Sequence, residues 1–434
     1  MSSAAQDASG PNGVRKLRVT AYRWVRRRAA SRLNLAPAAR QGGSNTGFSK
    51  VPIDAEIVVH FGDDASRIYQ LEQWLPVFEA LNERHKVLIV ARNERTFELL
   101  RSRPLPVVYL RRLRELSELF AMNPFKVVLY VNNSALNFSS LLFQDVLHVH
   151  LNHGESDKIA TNQAKAYDRV LVAGQAAVDR YNGNLLEFHG RNLVVVGRPQ
   201  LDVDYGRPLG PSPRPTVLYA PTWGGGRDEM NYSSVDVYGA RIVSGLLATQ
   251  KYRVVYKPHP RVPGDANTAQ AHAEIVAAIE QAQTADPAGG HVVEVSAPII
   301  SLFADCDTMI SDVSSVGMDF LYLATAKPMF LADRLSNAKS LGTRTRMAAC
   351  SVIVDDSNVD TIAAMVAEAL ATDAHRNTRE RMRRYYFDDI EPGESTVRFL
   401  AAIDEVVAAR DAAIAARPSP SSIDQAAGPV AATG

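Results

Sequence analysis

Asp307 to Leu331 reads DTMISDVSSVGMDFLYLATAKPMFL, and this stretch decides the fold. An apolar run closes at Met309-Ile310 and stops at Ser311-Asp312. Ser314 and Ser315 are N-cap residues for the helix that follows. Met318, Leu321 and Tyr322 recur at helical spacing and give that helix one apolar face. Lys327-Pro328 ends the crossover and PMFL begins another strand. Strand, polar turn, helix, strand is the unit of a parallel α/β sheet. The first turn of such a helix offers unpaired backbone N–H groups and a positive dipole end. With two hydroxyls beside it, this is a candidate phosphate cradle. An ordinary capped helix would read the same way, so its neighbours must decide.

Outward from this unit the pattern repeats. After it, SVIVDD is a strand, and Ala364 to Ala371 and Arg376 to Tyr386 are helical. A long Ala-rich helix follows, about Val397 to Ala416. Before it lie TVLYAPTW, YRVVYKPHP and HVVEVS, each a strand running into a polar loop. Further back, AEIVVHF, KVLIVAR, VVYL, KVVLYVNN, LHVHLNHG, DRVLVAG and NLVVVG form another set of strands. A helix is expected near Asp157 to Tyr167. Apolar runs of this kind suit parallel strands covered on both faces. RPLGPSPRP, with four prolines in nine residues, separates the two sets. The expected organisation is a basic N-terminal arm at 1–50, a Rossmann-like domain at 51–206, a linker at 207–215 and a second Rossmann-like domain at 216–393. A crossover helix at 394–416 returns toward the first domain, and a Pro/Ser/Ala/Gly tail occupies 417–434.

Composition narrows the class. The chain has 434 residues, 46% hydrophobic and 22% charged, with net charge +1. That length suits two domains. A near-neutral total argues against a general nucleic-acid binder. Cys306 and Cys350 form no metal-ligand pattern and point to a reducing compartment. No apolar run reaches the roughly 18 residues of a spanning helix. The expected location is the cytoplasm, peripheral on the inner face of the membrane. The membrane part rests on the arm. It carries eight Lys/Arg between Arg15 and Arg32 and no acid between Asp7 and Asp54, with Leu17, Ala21, Trp24 and Val25 at helical spacing. Residues 14–33 would lie on an anionic membrane surface. A solvated tail reads equally well from the pattern.

Ligands of open parallel sheets bind beyond the carboxyl ends of strands. Four polar clusters stand at such ends. Asn152-His153-Gly154 continues to Lys158, with His153 a candidate base toward a hydroxyl. Ala220-Pro221-Thr222-Trp223 runs into three glycines, which match neither the P-loop nor the dinucleotide fingerprint. Lys257-Pro258-His259-Pro260-Arg261 pins a His between two prolines in a positive corner suited to pyrophosphate. Asp312, Ser314, Ser315 and Asp319 belong to the opening stretch. There Asp312 would orient a His or meet a ribose hydroxyl, and Asp319 would hold His259 or a basic neighbour. Both also read as buried carboxylates with local partners.

Taken together, these motifs resemble the CDP-glycerol glycerophosphotransferase family, the teichoic-acid primases and polymerases. The resemblance rests on His153-Gly154, YAPTW at Tyr219 to Trp223, His259-Pro260, and D-x-S-S-x-x-x-D-F at Asp312 to Phe320 followed by Lys327-Pro328. It covers about residues 130 to 400. It implies a GT-B architecture, two Rossmann-like halves around a cleft. It also implies transfer of glycerol phosphate from CDP-glycerol to a hydroxyl, with release of CMP. The implied roles are His153 as base and His259 as stabiliser of developing charge. Thr222, Lys257, Arg261, Ser314 and Ser315 would bind the donor phosphates, supported by Gly154, Lys158, Asp312 and Asp319. The implied partners are a CDP-polyol donor, with or without Mg²⁺ on its diphosphate, and a lipid-linked or polymeric glycan acceptor. No residue cluster demands a metal. The family's Thr-Pro-Leu-Lys after His-Gly is here Glu155-Ser156-Asp157-Lys158, which opens the choice of polyol to ribitol or another. Two other readings share the architecture: a GT-B glycosyltransferase or epimerase using a UDP-sugar, and a non-catalytic membrane-associated protein.

Overall fold

The computed structural model describes residues 52–157, 160–225 and 231–417. Two parallel sheets carry the chain. The first has the order β3-β2-β1-β4-β5-β6-β7, built from β1 (Ile57–Phe61), β2 (Val87–Ala91), β3 (Val107–Tyr109), β4 (Val127–Tyr130), β5 (Leu147–His150), β6 (Arg169–Val172) and β7 (Leu193–Val195). The second has the order β10-β9-β8-β11-β12-β13, from β8 (Thr216–Ala220), β9 (Arg253–Tyr256), β10 (Val292–Val293), β11 (Thr308–Ser311), β12 (Met329–Ala332) and β13 (Val352–Val354). Every apolar run picked out above contains one of these strands. The central ones are buried over their whole length, as in IVVHF, VLIVA and TVLYA. Burial on both faces is why they are apolar throughout rather than alternating.

The chain divides into two compact units. One holds 52–153, 163–170 and 400–417; the other holds 154–157, 160–162 and 171–399, counting described residues. In the second, Leu218, Val255, Met309, Phe320 and Leu331 belong to a core on one side of the sheet. Tyr219, Val254, Ile310, Phe330 and Ile242 belong to a core on the other. The Pro-rich stretch 207–215 is held down within this unit. Arg253 donates to the carbonyls of Leu209 at 2.8 Å and Gly210 at 3.0 Å.

The C-terminal helix runs from Glu394 to Ala415. Its part from residue 400 onward belongs to the first unit, so the expected crossover is present. It is fastened there by Arg84 and His85 on Asp404, each at 2.8 Å, and by Lys126 on Asp411 at 2.9 Å. The helix expected over Asp157 to Tyr167 is reduced to a single 3-10 turn, Asn162–Ala166. The helix after Ser314 is buried from Gly317 through Tyr322 rather than along one stripe. Among the described residues no helix is long and apolar enough to cross a membrane. The basic arm at 14–33 and Lys158 lie outside the described residues.

Candidate active site

Three of the four polar clusters sit in the second unit, at the ends of three adjacent strands. β9, β8 and β11 are neighbours, with Tyr219 paired to Tyr256 on one side and to Ile310 on the other. The loops that follow therefore start side by side across two inter-strand spacings, about 10 Å. The loop after β9 carries Lys257, His259 and Arg261. The loop after β8 carries Thr222 and Trp223. The turn after β11 carries Asp312, Ser314 and Ser315.

The middle loop ties the outer two together. Thr222 N–H donates to Asp312 Oδ2 at 2.7 Å. On the other side the Trp223 ring lies 6.3 Å from the His259 ring. The Arg261 guanidinium sits 3.8 Å above the centre of the Trp223 ring. That distance is within cation–π range, and the stacking holds a planar cation in a fixed attitude. Within the cationic loop, Arg261 N–H donates to His259 Nδ1 at 3.2 Å. An Nδ1 that accepts leaves the proton of neutral imidazole on Nε2, so His259 presents Nε2–H as a donor. Lys257 is half-buried, and burial lowers its pKa while Glu294 pulls the other way. A lysine held partly out of water gains more from an incoming phosphate than an exposed one does.

Asp312 takes the local role. It is fully buried, and its Oδ2 also accepts from Ser234 N–H at 3.2 Å. Oδ1 is buried with no hydrogen-bond partner. Burial pushes the carboxyl up to about 7, against the pull of these donors. The side chain braces two loops against each other, and it is closed off from the surface. Asp319 likewise finds a basic neighbour, but it is Arg198 and not His259. Arg198 Nη1 donates to Asp319 Oδ1 at 2.7 Å, and both side chains are nearly inaccessible. Burial raises Asp319 to about 6 while Arg198 holds it down. Arg198 and Ser234 had no sequence signal, since their partners stand 121 and 78 residues away.

At the helix start, Ser314 occupies the N-cap position with extended backbone. Its hydroxyl makes no capping bond, and Oγ is buried without a partner. The expectation of a conventional side-chain cap is therefore corrected. Ser315 is half-buried at the first helical position. Gly154 packs directly on it. A Cβ built on Gly154 would stand 3.0 Å from Ser315 Cβ and 3.1 Å from its Oγ. The glycine is needed for close approach, not for an unusual backbone angle.

The residues after Gly154 turn inward. Glu155 is buried and paired with Arg180. Asp157 accepts from Thr345 Oγ1 at 2.6 Å and Arg346 N–H at 3.0 Å, and also from the Tyr386 hydroxyl. His153 itself belongs to the first unit, half-buried, with its ring edge-on to Tyr69 at 6.5 Å. Lys327 of the Lys-Pro pair caps a turn, donating to the carbonyls of Phe303, Ala304 and Cys306 at 2.6–3.1 Å. Among the described residues, no group of three or more His, Cys, Asp or Glu side chains is placed to hold a metal ion.

Comparison with known proteins agrees with the motifs. No curated protein sequence matches the chain. The wall teichoic acid polymerase TagF matches with a TM-score of 0.53 at 13% identity, over 93% of this chain and 99% of that one. A variant of TagF gives 0.55 at 14% identity, over 92% and 99%. The glycotransferase of kitacinnamycin gives 0.51 at 12% identity, over 81% and 99%. At such identities the likeness is one of fold, the GT-B fold of these enzymes. A likeness in sequence stands beside this likeness of fold. The model described as CDP-Glycerol:Poly(glycerophosphate) glycerophosphotransferase matches residues 155–334, a segment that begins just after His153-Gly154 and contains the three strand-end loops. Over that segment, somewhat less than half of the chain, the sequence is similar to this family of transferases.

Proposed function

We propose that the protein transfers glycerol phosphate, or a similar polyol phosphate, from a CDP-activated donor to a hydroxyl of a cell-envelope glycan or lipid-linked acceptor. CMP is released, in the synthesis of a teichoic-acid-like polymer. One observation carries the reading. The family-matched segment gathers Thr222, Lys257, His259, Arg261, Ser314 and Ser315 onto the ends of three adjacent strands.

The acceptor oxygen attacks the phosphorus that bears the polyol. The bond from that phosphorus to the bridging oxygen breaks, and CMP leaves with the electron pair. His153 takes the acceptor proton. His259 Nε2–H and the Arg261 and Lys257 cations stabilise the charge that grows on the diphosphate oxygens. The backbone N–H groups at the start of the Ser315 helix, with the two hydroxyls, position the phosphate. The basic arm at residues 14–33 holds the enzyme on an anionic membrane surface, at the cytoplasmic face.

The test is CMP release with CDP-glycerol and a polyol phosphate acceptor. His153→Ala and His259→Ala are each expected to lower turnover at least about a hundredfold. Unchanged turnover in both removes the assigned roles. Calorimetric titration with CDP-glycerol beside UDP-N-acetylglucosamine separates this reading from a UDP-sugar enzyme, which would prefer the latter. Removal of residues 1–40 is expected to reduce sedimentation with anionic vesicles; full retention places the membrane contact elsewhere.

A further inference from the structure

A second strand-end cluster lies in the first unit, on strands that carry none of the loops assigned above. A groove of about 610 Å³ opens beyond β2 and β3. Arg92 stands one residue past β2 and Arg95 in the first turn of the helix Glu94–Leu100. Arg111 stands two residues past β3, and all three arginines line the groove with Tyr109, Glu94 and Glu98. Arg92 is 8% exposed, donates Nη2 to the Arg111 carbonyl at 3.1 Å, and leaves Nη1 buried with no partner. Among the described residues, no carboxylate forms a salt bridge with Arg92, Arg95 or Arg111, although Glu115 acts on Arg92 through space, while Glu98 is engaged by Arg101 at 2.9 Å.

Burying a guanidinium with an unsatisfied nitrogen costs stability unless something else requires it. Three guanidinium groups around one groove, none in a salt bridge, match phosphate oxygens through their fixed forks. The two glutamates speak against a bare multiply charged anion and for a ligand that also offers hydroxyls, since a carboxylate only accepts hydrogen bonds. We infer that this groove is a second binding site for a polyol phosphate, with Arg92, Arg95 and Arg111 on the phosphate and Glu94 and Glu98 on the hydroxyls. The phosphodiester-linked polyol of a growing polymer and a free polyol phosphate share this chemistry. The choice of glycerol as the polyol to test rests on the proposed function; the site itself does not.

The experiment is calorimetric titration of the full chain at low salt with a short oligo(glycerol phosphate), with glycerol 3-phosphate and with inorganic phosphate. The double variant Arg95→Gln, Arg111→Gln is compared with the native chain. Both arginines are exposed, so the fold is expected to survive, as a matching thermal midpoint would verify. The variant is expected to bind the oligomer at least about tenfold more weakly, the loss of one or two charge-assisted contacts. Its affinity for CDP-glycerol is expected to be unchanged. Equal oligomer affinity in native and variant chains overturns the site. Inorganic phosphate binding as tightly as the polyol phosphates overturns the role of the glutamates and reduces the groove to a general anion patch. Glycerol 3-phosphate binding as tightly as the oligomer assigns the site to the free compound. Oligomer binding that depends on these arginines, in a chain that ignores CDP-glycerol, leaves this site standing and removes the donor reading alone.

Discussion

Replacing Asp312 by Asn tests how the two loops are joined. In the folded chain this carboxyl is fully buried and raised to about 7, against a reference value of 3.8. The folded state therefore holds a proton that the unfolded state releases. Stability from this group is complete below pH 3.8 and is lost as pH rises toward 7. At pH 5 the loss is about 1.2 pH units, roughly 1.6 kcal/mol; at pH 8 it is about 3 units, roughly 4 kcal/mol. Asn keeps an acceptor oxygen for the Thr222 and Ser234 amides, and its NH₂ takes the place of the unpartnered Oδ1. It carries no charge at either pH. Urea unfolding of both chains at pH 5 and pH 8 isolates the term, because every other titrating group is common to the two. The stability difference, variant minus native, is expected to move in favour of Asn by about 3 kcal/mol between those pH values. A difference that stays constant, or that moves against Asn, refutes the argument that Asp312 is held as a partly protonated brace.

Three further outcomes follow from other buried groups. Arg198→Ala strands the Asp319 carboxylate in the core and is expected to cost about 3–5 kcal/mol in urea unfolding, while the paired change Arg198→Met with Asp319→Leu recovers most of it. His60 and His150 are fully buried and depressed to about 3 by burial, so both stay neutral in the fold. The unfolded chain takes up protons below about pH 6.5, so their contribution is complete above 6.5 and is lost as pH falls toward 3; His150→Gln is expected to flatten that limb of the thermal midpoint against pH. Gly154→Ala brings a methyl within 3.0 Å of Ser315 Cβ and is expected to cost about 1–3 kcal/mol, with relief by Ser315→Gly in the double variant.

The strands were readable because burial on both faces writes them as unbroken apolar runs, TVLYA and VLIVA among them. The polar loops of the candidate site were readable as strand ends for the complementary reason: a polar cluster that interrupts such a run must lie at a strand end. What could not be read were the partners. Nothing near Asp319 signals that Arg198 will meet it, because the pairing is made by the fold and not by the local sequence. The helix Ala269–Ala285 escaped for a different reason. It is rich in Ala and Gln and buries only Ile275 and Ile279, so it shows almost no apolar stripe. The cap at Ser314 was legible as a position but not as a bond, since the residue type favours the site and only geometry decides whether the hydroxyl turns back on the helix.

The departure at Glu155-Ser156-Asp157 shows why a changed motif is not by itself a changed substrate. Read as sequence, an acidic loop after His-Gly suggests a different group at the transfer site. In the structure Glu155 meets Arg180, and Asp157 meets Thr345, the Arg346 amide and Tyr386. A buried carboxylate without such partners would be strongly destabilising, so the loop and its partners stand or fall together. The feature of the motif least open to change is Gly154, because a Cβ there would stand 3.0 Å from Ser315 Cβ and force that side chain to shift. The loop thus keeps its contact with the helix that starts at Ser315, while the altered residues Glu155 and Asp157 are tied to partners within the same unit. On the proposed function, discrimination between glycerol and another polyol is then to be sought in residues that face the ligand, and swapping Glu155 and Asp157 for the Thr and Leu of the resembling motif is expected to unsettle the fold before it alters any choice of donor.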